Sequence, residues 1–350
     1  MISTSSIRPV VALTLGDPAG IGPELIAKLL GETDARQHAQ VVLVGDSWLW
    51  ERGQDIAGVR VQTDIISDLS EVRDRLDDGL VPFLPVDTVQ PSQVTLGTVS
   101  AAGGSSVLTV LNLCMDAALA GDVDAICFAP LNKHAMKLGG LEFEDELHHF
   151  AHYLQVKDYF CEFNTLGDIW TARVSSHIPL KDAANWLSVE RVQKATRLIY
   201  RSLIDSGITN PRVAVAGFNP HNGDGGTCGR EEIEIIAPAV ESLKREGLPI
   251  QGPYPADTIF LQARDGHLDA VVTMYHDQGQ IAIKLLGFSK GVTVHGGLPI
   301  PITTPAHGTA YDIAGQGRAS VQATYNALLK ATRMGVSALQ RRQSESMATS

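Results

Sequence analysis

A chain of 350 residues exceeds what one hydrophobic core usually organises, so two α/β lobes are expected. At 44% hydrophobic and 19% charged residues it carries ample apolar material for packed cores, which excludes a disordered chain. Its formal net charge of −11, without a Lys/Arg cluster, excludes a nucleic-acid backbone or an anionic membrane as partner. A small anionic substrate stays open, because one local cation decides it.

Apolar runs rich in Val, Ile and Ala recur at residues 10–15, 41–44, 125–129, 212–216, 270–274 and 292–294. They are continuous rather than alternating, as expected of strands buried on both faces of a parallel sheet. A further strand is expected at 171–176. Helical patterns fall at 99–120, 189–206 (with Ser188 as N-cap), 231–245 and 320–330. The alternation predicts an α/β architecture with largely parallel sheets. The polar tail 343–350 is expected to fray. The expected division places 1–130 with 299–350 in one lobe and 131–298 in the other. Cys114, Cys127, Cys161 and Cys228 form no C-x-x-C pair and read as buried small hydrophobes in a reducing compartment. The N-terminus shows no secretory apolar region and no apolar run nears the ~18 residues of a membrane span, so a cytoplasmic protein is expected.

Four features carry chemistry. Residues 16–24 (GDPAGIGPE) follow a strand and open a helix. The glycines permit close backbone approach and the helix N-terminus favours an anion, although a turn without ligand fits equally. His177, His221 and His276 each lie just past an expected buried strand, at the sheet edge where open α/β sheets bind ligands. Three imidazoles leave coordination positions open for substrate oxygens; the alternative is three unrelated loop histidines. Asp277 adjoins His276 as partner or proton acceptor. Residues 307–317 (HGTAYDIAGQG) form a small-residue turn whose Asp312 suits a ribose diol, or simply a helix-start loop. Lys284 stands in an apolar stretch, either snorkelling or placed to move a proton.

Residues 16–24, 218–226, 255–260, 274–279 and 307–317 together resemble the 4-hydroxythreonine-4-phosphate dehydrogenase (PdxA-like) family, from about residue 9 to 332. The resemblance implies a two-lobed α/β/α subunit like that of the isocitrate and isopropylmalate dehydrogenases, and a homodimer. It also implies NAD and a divalent metal (Zn, Mn, Co or Mg) held by His177, His221 and His276. By the same resemblance Gly308, Thr309, Ala310, Asp312 and Gly315 bind the cofactor. Lys284, Asp277 and Asp257 are implied as catalytic, and His148, His149, Lys284 and Thr293 as substrate-binding. The implied reaction oxidises a secondary alcohol next to a carboxylate-bearing carbon, followed by loss of CO₂.

The sequence departs from the phosphate-using members on the substrate side. Residues 146–150 read Glu-Leu-His-His-Phe in place of Gly-His-Thr-Glu, Thr293 replaces an Asn and Ile302 replaces an Arg. Loss of a guanidinium fork predicts an unphosphorylated carboxylic acid substrate, in the pattern of the terephthalate cis-dihydrodiol dehydrogenase branch. The alternatives are the phosphothreonine dehydrogenase of pyridoxal phosphate synthesis and, from another class, a non-catalytic metal-binding regulator.

Overall fold

A computed structural model describes residues 8–75 and 79–349. The chain divides into two compact units, Met1–Val156 with Leu298–Ser350, and Lys157–Gly297. The first begins β1 (Val10–Thr14), α1 (Gly22–Glu32), β2 (Gln40–Asp46), α2 (Ser47–Ala57), β3 (Thr63–Ile65), β4 (Val81–Val86), α3 (Ala101–Ala120), β5 (Ala125–Phe128), α4 (Lys133–Leu138) and α5 (Glu146–Tyr153). The second runs β6 (Cys161–Leu166), β7 (Ile169–Arg173), α6 (Ala183–Trp186), α7 (Val189–Asp205), β8 (Val213–Ala216), α8 (Ala237–Arg245), β9 (Ile250–Tyr254), α9 (Ala256–Arg264), β10 (Ala270–Thr273), α10 (His276–Gly287) and β11 (Val292–Gly296). The chain returns to the first unit with β12 (Ile302–Pro305) and α11 (Gln322–Thr349).

In the first unit the strands lie in the order β3-β4-β2-β1-β5-β12, each pair parallel. In the second the order is β11-β6-β7-β10-β8-β9. The strands from β7 to β9 are parallel, and β6 runs antiparallel to β7 and β11. β1, β5, β8 and β10 are buried throughout, as their unbroken apolar runs require.

The first unit extends past Pro130, where the expected boundary lay. Met136 of α4 and Phe150 of α5 are buried in the same cluster as Val107, Leu111 and Met115 of α3, and the Phe128 and Phe150 rings meet edge to face at 5.9 Å. A polar-looking stretch thus stays with the first core because a few apolar residues anchor it. α3 is the helix among the described residues long and apolar enough to cross a membrane by length and composition; its apolar side chains line this core.

Other differences have local causes. The expected helix 231–245 is present but widens into a π-helical turn at Glu232–Ile236 before continuing as α8, where Pro238 cannot donate the regular backbone hydrogen bond. Within the tail expected to fray, residues 343–349 are the helical end of α11, with no Gly or Pro after Gly335, and Ser350 lies outside the described residues. Cys114 and Cys127 are buried, which pushes their thiols up to about 12, whereas Cys228 is exposed, against the uniform burial expected of the four.

Helices α3 and α4 touch backbone to backbone at Gly104. A β-carbon there would stand 1.8 Å from the Ala135 carbonyl oxygen. Gly104→Ala should therefore lower stability by about 1–3 kcal/mol despite alanine's better helix propensity. A denaturant midpoint equal to that of the unmutated protein would show that the two helices separate freely.

Candidate functional site

Each of the three histidines follows one of three adjacent parallel strands of the second unit. His177 lies beyond β7, His221 beyond β8, and His276 opens α10 directly after β10, the strand between the other two. Parallel pairing puts all three strand ends on one sheet edge. The His177 and His276 ring centroids are 5.8 Å apart. At that separation both rings can turn a nitrogen toward one ion at the ~2.0–2.1 Å of an imidazole–metal bond. His276 Nδ1 lies 2.7 Å from Asp277 Oδ1, so this nitrogen carries the proton donated to the carboxylate, and Nε2 is the one available to a metal.

The loop bearing His221 is held in an uncommon conformation. His221, Asn222 and Asp224 all have positive φ, at 53°, 59° and 43°. Non-glycine residues there cost of order 1–3 kcal/mol each and persist only where the surroundings fix them. Glu232 does much of the fixing. Its Oε1 accepts from the backbone N–H groups of Phe218 and Asn219 at 2.7 Å each, and its Oε2 accepts from Asn219 Nδ2 at 2.9 Å. The carboxylate is 3% exposed and lies in the wide turn before α8, a helical irregularity frequent at functional sites. Asn222 Nδ2 donates to the Pro253 carbonyl at 3.1 Å, tying the loop to β9.

The three loop starts are also stitched to one another. The Ser175 hydroxyl and backbone N–H both donate to the Met274 carbonyl, at 2.8 and 3.1 Å. Gln278 Oε1 accepts from the Met274 N–H at 2.8 Å, while its Nε2 donates to the Gly217 carbonyl at 2.9 Å. One side chain therefore joins the end of β10 to the end of β8. The 274–279 motif contains Gln278, but only the fold shows which carbonyl it reaches.

The remaining expected residues are distributed unevenly. Asp257 is exposed in the first turn of α9, and Lys284 is exposed on α10, two turns beyond His276. Thr293 is buried on β11, where Asn164 Nδ2 donates to its hydroxyl at 3.3 Å. Ile302 is a core residue of the first unit, 1% exposed. His148 and His149 belong to α5 of that unit. His148 Nδ1 lies 2.7 Å from Asp145, and His149 Nε2 lies 2.8 Å from Asn112 Oδ1. Burial, reinforced by nearby His152, holds the His149 imidazole below its usual range, which opposes a role as a cation near neutral pH.

The 307–317 loop is locked to the glycine-rich 16–24 loop, both in the first unit. Ile21 N–H donates to the Thr309 carbonyl at 3.1 Å, and a β-carbon on Gly20 would stand 2.9 Å from Thr309 Cβ. The Tyr311 hydroxyl donates to Asp17 at 2.7 Å; burial pushes this carboxyl above its usual range while the hydrogen bond opposes the shift. Glu24 accepts from Lys28 and from the Ala319 N–H, each at 2.8 Å. Ala310 and Gly315 take positive φ, Thr309 is buried, and Gly308 and Asp312 are exposed at the tip. The loop is preformed, with a carboxylate and open backbone facing solvent.

Comparison with known proteins bears on this pair of sites. Residues 37–331 match the family model described as pyridoxal phosphate biosynthetic protein PdxA. The chain is 52% identical over 330 residues, 93% of its length and 97% of the relative's, to "Putative 4-hydroxythreonine-4-phosphate dehydrogenase 2" of Pseudomonas aeruginosa. The crystal structure of a 4-hydroxythreonine-4-phosphate dehydrogenase from Klebsiella pneumoniae matches with TM-score 0.83 and 35% identity, over 95% of this chain and 99% of that one. A terephthalate 1,2-cis-dihydrodiol dehydrogenase from Burkholderia xenovorans matches with TM-score 0.65 and 28% identity, over 93% and 98%.

The Glu232 carboxylate is the cap of the His221 loop; a glutamine keeps one oxygen for Phe218 and Asn219 but loses the charge and sets its NH₂ against Asn219 Nδ2. Glu232→Gln should destabilise the protein by about 1.5–3 kcal/mol, the worth of hydrogen bonds to a charged group. Amide exchange at Phe218 and Asn219 should accelerate with it. Unchanged exchange at both positions would mean that the loop is held by other contacts.

Proposed function

The chain belongs to the PdxA family and is a dehydrogenase, and on that premise we propose that it oxidises a phosphorylated hydroxy acid with NAD and a divalent cation. The observation that carries the reading is the histidine triplet at the ends of β7, β8 and β10. A bound cation there acts as a Lewis acid toward the substrate's hydroxyl and carboxylate oxygens, and three imidazoles favour Zn²⁺, Mn²⁺ or Co²⁺ over Mg²⁺. His177, His221 and His276 are its ligands. The 307–317 loop takes the cofactor, with Asp312 on the ribose hydroxyls and Gly308, Thr309, Ala310 and Gly315 shaping the approach. Lys284, Asp277 and Asp257 are the side chains assigned to proton movement.

The sequence alone favoured an unphosphorylated substrate, and that ranking is reversed. The relative 52% identical over nearly the whole chain is named for a phosphorylated substrate, whereas identity to the dihydrodiol dehydrogenase is 28%. The residues behind the first ranking also lose their weight. Ile302 belongs to a core cluster and Thr293 is bonded to Asn164, so their identities reflect packing as much as ligand. Lys284, exposed two turns beyond His276, is a cation suited to a phosphate.

The reading includes a homodimer in the cytoplasm. Ile281 and Leu285, one turn apart on α10, are 59% and 83% exposed, an apolar stripe of the kind that a subunit contact covers. Sedimentation at micromolar concentration should give twice the 37.5 kDa chain mass, and an active monomer would refute the dimer.

Substrate and metal are tested together by following reduced nicotinamide. 4-Phosphohydroxythreonine should exceed both its unphosphorylated counterpart and a carboxylated cis-dihydrodiol by at least about tenfold in kcat/KM, or ~1.4 kcal/mol of transition-state binding. Chelation should abolish turnover, with Zn²⁺, Mn²⁺ or Co²⁺ restoring it. A preference for either unphosphorylated compound would reinstate the first ranking, and full activity in metal-free protein would end the metal reading.

A further inference from the structure

Arg173, the last residue of β7, is 6% exposed, within the sheet of the second unit. Its guanidinium reaches several segments. Nε donates to Ser176 Oγ at 2.9 Å, one terminal nitrogen donates to Asn164 Oδ1, and the other pairs with Glu162 at 3.0 Å. Asn164 extends the chain of contacts. Its Oδ1 also accepts from Gln280 Nε2 of α10, and its Nδ2 donates to Thr293 Oγ1 of β11. Ser176 immediately precedes His177, and Gln280 lies one turn along α10 from His276.

Stability does not account for such a group. Two charges removed from water carry a desolvation penalty, and replacing a buried ion pair with apolar residues of similar volume is often neutral or stabilising. What the guanidinium supplies is a rigid planar fork of donors, so that acceptors on separate segments are fixed relative to one another. The segments fixed here are those carrying two of the three histidines.

Resting on the metal reading above, we infer that Arg173 is a positioning residue. Through Ser176 it orients the His177 loop, and through Asn164 and Gln280 it sets α10 and hence His276, so both imidazoles are held for one cation before it binds. The same Asn164 fixes the hydroxyl of Thr293, which makes Thr293 part of this frame rather than an independent ligand contact. Lysine cannot substitute, because a single ammonium on a flexible stem does not hold three acceptors in one plane.

The test is a Co²⁺ titration of the full-length protein, read by the visible d–d absorption of the bound ion. Unmutated protein should give a saturable spectrum that His221→Ala removes. Arg173→Lys and Gln280→Leu should each weaken Co²⁺ binding roughly ten- to hundredfold, the usual effect of removing groups that orient metal ligands, and change the band shape. The double variant Arg173→Met with Glu162→Leu removes the whole ion pair. It should keep or raise the thermal midpoint and still bind Co²⁺ more weakly. Arg197→Met, which breaks an exposed pair with Glu246 on the same unit, should leave affinity and spectrum unchanged. If Gln280→Leu and the double variant bind Co²⁺ with unaltered affinity and spectrum, the positioning role is overturned, even should Arg173→Lys fail to fold. If unmutated protein gives no spectrum, the metal reading fails, and the inference with it.

Discussion

Parallel pairing of β7, β10 and β8 is the constraint on which the candidate site depends. Strands that run the same way, about 4.8 Å apart, must end at the same sheet edge. The loops that follow therefore start from one edge. The loops that begin at this edge carry His177, His276 and His221. Parallel strands require crossover connections, and α7, α8 and α9 with their loops supply the length that lets each histidine loop be shaped separately.

A shared sheet edge does not by itself fix the loops, and buried polar groups tie them down and to one another. Glu232 caps the left-handed His221 loop, Gln278 bridges Met274 and Gly217, and Ser175 ties the end of β7 to that of β10. Each places a charged or polar group where apolar packing would serve stability as well or better. Their concentration at one sheet edge, while the strands themselves are apolar, is the pattern of a site whose geometry is fixed beforehand. The cofactor-loop candidate follows the same logic in the first unit, where Asp17, Glu24 and Lys28 anchor the 307–317 loop and its continuation.

Much of this was legible in the sequence, for definable reasons. Strands buried on both faces announce themselves as unbroken apolar runs, so β1, β2, β5, β8, β10 and β11 were read directly. β4 was not, since Pro82 and Pro85 interrupt the pattern, nor was β6, whose Glu162 and Asn164 make it look like a loop. The histidines could be found because each follows a legible strand. Glu232, Gln278 and Arg173 could not, because nothing local distinguishes a buried carboxylate, amide or guanidinium from a solvated one. Their partners lie on other segments, and only the register of the sheet brings them within reach. Thr293 and Ile302 show the same limit: their sequence positions suggest ligand contacts, whereas the fold gives them packing and hydrogen-bond partners.

The central claim is that one cation is held by three imidazoles at the ends of adjacent parallel strands. The most direct measurement is extended X-ray absorption fine structure of the zinc-loaded protein. The account predicts three imidazole nitrogens at about 2.0–2.1 Å, with the outer-shell scattering of their rings, and oxygen completing the coordination. A first shell with fewer than two imidazoles, or one containing sulfur at about 2.3 Å from a cysteine such as the exposed Cys228, would contradict it.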